Sequence, residues 1–171
     1  MKRLTLLRHA KSSWSDPLSA DHGRGLSGRG KRDAPKMGKR MAARGSRTAV
    51  IISSSAKRAR RTAKIVAEAL QYPAKSLQIE KALYLATAET ILELICGQDD
   101  NSGDLLVVGH NPGLTDLVNE LLPSLSMHNL PTSGVVAMDF KTEEWSRITE
   151  VGAELVFYDY PKNPELLLKE D

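Results

Sequence analysis

The stretch Leu4-Thr5-Leu6-Leu7-Arg8-His9-Ala10-Lys11-Ser12-Ser13 decides the fold of this 171-residue chain. Its first four residues are mostly apolar and form a run typical of a buried strand, and the run ends abruptly at Arg8 and His9. Ligands of open α/β sheets bind beyond the carboxyl ends of the strands. A basic pair at this point would therefore face a bound ligand. A guanidinium binds phosphate oxygens in pairs, and an imidazole supplies a nucleophilic nitrogen.

A second predicted strand leads to another basic segment. The run Thr48-Ala49-Val50-Ile51-Ile52 passes through three serines into a helix. The first turn of that helix is basic, with Lys57, Arg58, Arg60 and Arg61. Positive charge at a helix N-terminus opposes the helix macrodipole. A bound anion would resolve this conflict, because helix N-termini and arginines both favour anions.

A third apolar run, Leu105-Leu106-Val107-Val108, ends in Gly109-His110-Asn111-Pro112-Gly113. Asn111 is predicted as the N-cap of the next helix, with Pro112 at its first position. His110 therefore also lies at the carboxyl end of a strand, beside a helix N-terminus. We expect one cluster at this edge of the sheet, made of Arg8, His9, Arg58 and His110.

The order of the elements predicts the fold class. Strands and helices alternate from residue 4 to residue 122, with helix N-caps expected at Ser27 and Thr87. This alternation indicates an α/β fold with a mainly parallel central sheet. We expect a single three-layer α/β/α domain over residues 1–171.

The C-terminal part changes character. Residues 134–140 and 145–151 are predicted as the two strands of an antiparallel hairpin. We expect the chain after Pro161 to form a surface segment.

Three motifs carry a resemblance to a known family. Arg-His directly after the first strand resembles the histidine phosphatase superfamily, whose signature is Arg-His-Gly; Ala10 stands in the glycine position. The form Arg8-His9-Ala10-Lys11-Ser12 is similar to the small SixA-type phosphohistidine phosphatases of that superfamily. Residues 54–62 resemble the pattern Ser-Pro-x-x-Arg-x-x-x-Thr, without its proline, and His110 stands in the family's strand-Gly-His context. The resemblance covers roughly residues 3–118.

The resemblance implies a phosphoglycerate mutase-like fold and a two-step phosphoryl transfer. His9 would attack phosphorus and become phosphohistidine, which water then hydrolyses. Arg8, Arg58 and His110 would hold the phosphoryl oxygens and stabilise the charge of the transition state. Further substrate-binding residues are expected at Lys11, Ser12, His22 and Asn111.

No metal or cofactor is expected. The histidines lack the spacing of metal ligands, and no Asp-x-Asp cluster occurs. The arginines and His110 would supply the positive charge. The resemblance thus implies a metal-independent hydrolase.

The leaving group decides the substrate class. Most phosphatases of the superfamily use a Glu or Asp to protonate the leaving oxygen, and Leu85 stands where that acid is expected. An alkoxide leaves badly without an acid, whereas the imidazole of phosphohistidine needs less help because the P–N bond is labile. The sequence therefore favours a phosphohistidine protein as substrate.

Two alternatives remain open at this point. The first is a phosphomonoesterase acting on a small metabolite, with Asp16, Asp21 or Glu89 as the acid. The second is a non-enzymatic module that binds polyanions through its basic helices, which would show a steep salt dependence.

The composition indicates which partners and which cellular compartment to expect. The net charge is +3, and Cys96 is the only cysteine, so no intrachain disulfide is possible. Basic residues concentrate in residues 24–64, which contain one acid, Asp33; we interpret this as a solvated face that steers anions, not as a nucleic-acid site. No apolar run is long enough to span a bilayer or to form a signal peptide. We expect a cytoplasmic protein, with a monomer favoured and no membrane partner.

Overall fold

Six strands form one sheet in the computed structural model, which describes residues 1–164. The sheet has the order β3-β2-β4-β1-β5-β6. The strands are β1 (Lys2–Arg8), β2 (Val50–Ser54), β3 (Gln78–Glu80), β4 (Asp104–Gly109), β5 (Val135–Phe140) and β6 (Glu154–Asp159). The helices are α1 (Gly28–Ala43), α2 (Lys57–Ala69), α3 (Ala88–Cys96), α4 (Gly113–Leu121) and α5 (Ile148–Val151).

Strand β1 lies inside the sheet because both of its faces are apolar. It pairs in parallel with β4 and antiparallel with β5. Side chains of a strand alternate between the two faces of a sheet, so Leu4 and Leu6 pack on one side and Leu7 on the other. Near-continuous apolar runs of this kind are typical of strands that are covered on both faces.

Helices cover the two faces of the sheet. The side of Leu4 and Leu6 carries α3 and α4, whose buried residues include Ile91 and Leu117. The opposite side carries α1 and α2, whose buried residues include Met37. The prediction of a three-layer α/β/α fold with a mainly parallel sheet is therefore confirmed.

The helix starts follow from their capping side chains, with one correction. Ser27 Oγ accepts a hydrogen bond from the backbone N–H of Gly30 at 3.1 Å, and Thr87 caps α3 in the same way, as predicted. The prediction of Asn111 as an N-cap is wrong by one residue, because α4 begins at Gly113 and Pro112 occupies the cap position. Asn111 Oδ1 instead accepts hydrogen bonds from the N–H and hydroxyl of Thr115.

The antiparallel hairpin is present, but its second strand lies further along the chain than predicted. Strand β5 pairs with β6, not with residues 145–151. Those residues form a 3₁₀ turn and α5, because their buried side chains, Trp145 and Ile148, are three residues apart. The indole N–H of Trp145 donates to the carbonyl of Ser102 at 2.8 Å, which fixes this turn beneath the sheet edge.

The predicted surface segment after Pro161 lies mostly outside the described residues. Of the part that the structure describes, Asn163 is buried, and its Nδ2 donates to Asp159 Oδ1 at 3.2 Å. The start of the segment is therefore anchored to the end of β6.

Candidate active site

Three of the four predicted catalytic side chains are in contact at the carboxyl edge of the sheet. Arg58, in the first turn of α2, directs its Nε at His9 Nε2 over 3.4 Å and lies 3.5 Å from His110 Nδ1 through Nη2. The rings of His9 and His110 have centroids 5.1 Å apart. Three separate segments of the chain thus meet at one point.

Arg8 is the fourth member and approaches from the end of β1. Its Nη1 donates to the carbonyl of Leu130 at 3.0 Å. Its Nε is buried and has no hydrogen-bond partner among residues 1–164. Burial lowers the pKa of Arg8, and the charge of Arg58 adds to this effect. The half-buried Arg8 and the buried Arg58 therefore repel each other, and no carboxylate among residues 1–164 forms an ion pair with Arg8. This arrangement favours the binding of an anion.

His9 is held as a neutral imidazole with one free nitrogen. Its Nδ1 donates to the carbonyl of Ala10 at 2.8 Å, so the lone pair lies on Nε2, the nitrogen that faces Arg58. Burial lowers the pKa of His9 to about 3 against the opposing effect of that hydrogen bond, and the charges of His110, Arg58 and Arg8 lower it further. The predicted nucleophile, Nε2 of His9, is thus unprotonated at any physiological pH.

His110 has the opposite tautomer. Arg58 faces its Nδ1, and its Nε2 donates to Ser54 Oγ at 2.7 Å. Burial lowers the pKa of His110 to about 4, and Arg58 contributes in the same direction. A bound phosphoryl dianion favours the protonated form of a neighbouring imidazole. His110 can therefore gain a proton when the substrate arrives.

The loop after β1 is fixed by hydrogen bonds to its backbone. The N–H of Ala10 donates to Thr62 Oγ1 at 2.9 Å, and that hydroxyl donates to the carbonyl of Arg58 at 2.8 Å. The N–H of Ser133 donates to the carbonyl of His9 at 3.2 Å. Thr62, which the sequence supplied only as the last residue of a motif, thereby ties the loop after β1 to helix α2.

Asp21 binds the outer side of Arg58. The carbonyl of Asp21 accepts from Arg58 Nη1 at 2.7 Å, and its Oδ2 accepts from Nη2 at 3.0 Å. Tyr84 and Arg24 also donate to this carboxylate. Hydrogen bonds from Tyr84, Arg24 and Arg58 hold the pKa of Asp21 well below its usual range. The carboxylate is therefore ionised throughout the physiological pH range.

The four predicted substrate-binding residues differ in what they contact. His22 is at the site, since its Nε2 lies 2.9 Å from Ser55 Oγ and its ring packs edge-on against Tyr84. Ser12 and Asn111 hold other site residues: Ser12 Oγ accepts from Arg24, and Asn111 donates to the Leu130 carbonyl that Arg8 also binds. Lys11 is half-buried, and its carbonyl accepts from the N–H of Ser27. The direct binding of substrate by these four residues stays a prediction.

Sequence reasoning missed Tyr84 as a site residue. Its ring lies 5.5 Å from that of His110 and its hydroxyl donates to Asp21. The preceding residue, Leu83, is buried in the core and anchors this turn after β3. The sequence feature that could have indicated Tyr84 is a leucine followed by a tyrosine just beyond a strand end. The same pattern is common in ordinary cores, so it does not single out a site residue.

The described part of the chain offers neither a metal site nor a membrane-spanning helix. Among residues 1–164 no group of three or more His, Cys, Asp or Glu side chains is arranged to hold a metal ion. No helix in that range is long and apolar enough to cross a membrane.

Known sequences resemble this chain over most of its length. The sequence model of the histidine phosphatase superfamily (branch 1) matches residues 4–83. An uncharacterized protein of Mycobacterium tuberculosis is 32% identical over 166 residues, which are 91% of this chain and 100% of that protein. An uncharacterized chloroplastic protein of Arabidopsis thaliana is 33% identical over 128 residues, which are 70% of this chain and 59% of that protein.

Solved structures share the fold. The Agrobacterium tumefaciens protein assigned as the phosphohistidine phosphatase SixA has a TM-score of 0.79 at 28% identity, covering 94% of this chain and 98% of the other. A protein histidine phosphatase SixA in complex with tungstate has a TM-score of 0.78 at 18% identity, covering 93% and 97%.

Proposed function

The chain belongs to the histidine phosphatase superfamily, and from that premise we propose that it hydrolyses phosphohistidine on proteins. The observation that carries the proposal is the unprotonated Nε2 of His9 beside Arg58 and His110. A neutral nucleophile surrounded by positive charge suits attack on a phosphoryl dianion, because the positive charge stabilises the negative charge on the phosphoryl oxygens in the transition state.

The first step transfers the phosphoryl group to the enzyme. The lone pair of His9 Nε2 forms the new P–N bond, and the P–N bond of the substrate breaks. The electron pair of the broken bond stays on the substrate imidazole, which leaves neutral if its other ring nitrogen already carries a proton. Arg8, Arg58 and protonated His110 bind the phosphoryl oxygens. In the second step the oxygen of a water molecule bonds to phosphorus and the P–N bond to His9 breaks. The electron pair of that bond returns to Nε2, and both protons of the water leave with the inorganic phosphate.

The state of Asp21 supports a phosphohistidine substrate over an alkyl phosphate. Asp21 is the acidic side chain that contacts Arg58 among residues 1–164, and its depressed pKa makes it a poor proton donor. A general acid works best with a pKa near the working pH. An alkoxide leaving group would therefore lack a proton source. A substrate imidazole that already carries a proton on its other ring nitrogen needs no acid from the enzyme.

A phosphomonoesterase acting on small metabolites is the second candidate, favoured by the position of Asp21 beside Arg58. It requires Asp21 to take up a proton, so Tyr84 and Arg24 would have to release this carboxylate when substrate binds. Replacement of Asp21 by Asn then separates the two candidates. It would remove the acid that a phosphomonoesterase needs, but it would leave the turnover of phosphohistidine unchanged.

A panel of substrates tests the proposal. We expect kcat/KM to be at least about a hundredfold higher for a phosphohistidine peptide than for an alkyl phosphate, with aryl phosphates between them. Brief incubation with phosphodonor should leave an acid-labile phosphate on His9, and His9→Ala should abolish both labelling and turnover. Equal rates on alkyl phosphate and phosphohistidine, with loss of the former in Asp21→Asn, would establish the metabolite phosphatase instead.

A further inference from the structure

A cavity beside the active site is lined by several cations, three of which have no partner among residues 1–164. Its volume is about 380 Å³, and it lies between the loop of residues 13–26 and the first turns of α1 and α2. Its exposed cations are Lys31, Lys57 and Arg61, and none of them forms an ion pair or side-chain hydrogen bond with the described residues. We call this feature the basic cavity.

The basic cavity is distinct from the phosphoryl site, although the two are connected. None of the four predicted catalytic residues lines it. Arg24 lines the cavity and binds Asp21, which in turn binds Arg58. Lys57 also directly precedes Arg58 at the start of α2. The cavity is therefore linked to Arg58 through Arg24 and Asp21, so a protein whose phosphohistidine reaches Arg58 can also contact the cavity.

The charge of the cavity is unbalanced. Asp16 is the acidic residue among those that line it, against four cations. Arg24 is satisfied by Asp21 and Ser12, but the other three cations are not. Lys57 and Arg61 also lie in the first two turns of α2, where the macrodipole disfavours positive charge. Unpaired cations at this position lower the stability of the free protein and are stabilised by an anionic ligand.

Two large apolar side chains of the loop that lines the cavity are exposed, which points to a protein as the ligand. Trp14 is 72% exposed although its ring stacks on the guanidinium of Arg24 at 3.5 Å. Leu18, in the same loop, is 93% exposed. An exposed tryptophan above an arginine is typical of the centres of protein interfaces, whereas a small charged metabolite gains nothing from exposed leucine.

We propose that the basic cavity binds carboxylate side chains of the protein that carries the phosphohistidine, with Trp14 and Leu18 contacting an apolar part of the same surface. This inference rests on the proposed function and names the partner: a protein whose phosphohistidine is flanked by acidic residues. Complementary charge raises the rate of encounter and selects among partners.

Two phosphohistidine peptides test this inference, one flanked by four glutamates and the other by four glutamines. We compare the ratio of their kcat/KM values in three proteins. These are the wild type, the cavity variant Lys31→Ala/Lys57→Ala/Arg61→Ala, and the control Lys39→Ala/Arg60→Ala/Lys64→Ala. The control cations are exposed, lie on the same two helices and do not line the cavity, so both variants lose the same charge.

We expect the wild type and the control to prefer the glutamate peptide by about tenfold, mainly through KM, and the cavity variant to prefer it by less than about twofold. Equal losses in the two variants would show that overall charge, not the cavity, selects the peptide. A preference that persists in the cavity variant would also overturn the inference.

Binding of the unphosphorylated glutamate peptide, measured by calorimetry, keeps the two proposals separate. If the wild type hydrolyses neither phosphopeptide, the proposed function fails while the binding experiment still decides the cavity. We expect the Kd of the unphosphorylated glutamate peptide to be about tenfold higher in the cavity variant than in the wild type, and unchanged in the control. Hydrolysis of both peptides at equal rates, without measurable binding of the unphosphorylated one, would leave the function standing and refute the cavity as a binding site.

Discussion

At the scale of single residues, the site depends on which ring nitrogen of His9 holds the proton. The carbonyl of Ala10 accepts from Nδ1, and a guanidinium faces Nε2, so both neighbours favour the same tautomer. An imidazolium would bring one more positive charge next to Arg58 and could not attack phosphorus. The low pKa of His9, which burial produces, therefore suits the proposed attack on phosphorus.

We predict that His9 keeps its neutral Nδ1–H form from pH 7.5 down to pH 5. An unperturbed histidine titrates near pH 6.5, but burial and the neighbouring guanidinium groups of Arg58 and Arg8 disfavour the imidazolium. The ¹⁵N chemical shifts of the ring should stay constant over this range, while His128, outside the site, serves as an internal comparison. A titration of His9 with its midpoint near pH 6.5 would contradict the assigned tautomer and its role.

Replacement of Asp21 by Asn should tighten the binding of inorganic phosphate. The carboxylate of Asp21 neutralises Arg58 in the free protein and repels an incoming anion. Its side chain is 44% exposed, so solvent screens part of this effect. We expect Kd to fall roughly three- to tenfold, about 0.7–1.4 kcal/mol. Calorimetry measures this change, with Glu68→Gln, an exposed acid in the last turn of α2 that does not line the basic cavity, as the control. Weaker binding in Asp21→Asn would mean that Asp21 chiefly orients Arg58.

The sequence predicted part of this site because strand ends are visible in a sequence. Arg8 and His110 directly follow apolar runs, and the carboxyl ends of parallel strands share one edge. Asp21 and Tyr84 belong to loops, where no periodicity fixes which side chain turns inward. Their contact depends on the packing of two segments more than sixty residues apart, which only the folded chain defines.

At the scale of elements, the N-terminus of α1 supports the loop after β1. Ser27 donates its N–H to the carbonyl of Lys11 at 2.9 Å, and its hydroxyl lies 3.1 Å from the same oxygen. A Cβ on Gly30 would lie only 2.2 Å from that carbonyl oxygen. The helix can approach the loop this closely because position 30 has no side chain.

Gly30→Ala should therefore destabilise the protein although alanine favours helices. The clash is with backbone, so α1 or the loop must move, and overpacking of this kind costs about 1–3 kcal/mol. Gly28 lies two residues earlier, at the start of α1. A Cβ there would meet only the flexible end of the Arg32 side chain, at 3.4 Å, so Gly28→Ala should change stability by less than about 0.5 kcal/mol. Urea denaturation compares the two variants; equal stability would show that the loop after β1 adapts freely.

The C-terminal hairpin shows why one element was misplaced. Apolar residues at 145, 148 and 151 recur every three residues, which suits a helical turn, but the neighbouring β-branched residues suggested a strand. The true partner of β5, Glu154–Asp159, has exposed apolar residues and no clean alternation because it is an edge strand. Whether a short segment of this kind forms a strand or a helical turn depends on its tertiary contacts.

At the scale of the whole molecule, the sheet separates two sets of titratable groups. The carboxyl edge holds His9 and His110, whose pKa values are lowered. Between pH 6.5 and about 4, the unfolded chain binds protons at these residues that the folded chain does not, so they make stability fall as the pH falls. The amino end of β4 holds Asp104, which acts in the opposite direction.

Asp104 lies beside Arg3 and Asp139, which form a bidentate ion pair with each other. Burial raises the pKa of Asp104 to about 7, against the attraction of Arg3 and with a further contribution from Asp139. Its Oδ1 has no hydrogen-bond partner among the described residues. Between pH 4 and pH 7 the folded chain therefore binds a proton at Asp104 that the unfolded chain has lost. By linkage, this residue makes stability fall as the pH rises through that window.

Asp104→Asn should remove this effect without disturbing the ion pair, because asparagine has the shape of the neutral acid. The two proteins should be about equally stable at pH 4, and the variant should gain as the pH rises, reaching roughly 1–2 kcal/mol above pH 7 after allowance for solvent screening. Taking the difference between the two urea denaturation curves at each pH cancels the contributions of His9 and His110, which both proteins share. A difference that stays constant from pH 4 to pH 8 would show that Asp104 is ionised in the folded protein throughout, and that Arg3 outweighs burial at this end of the sheet.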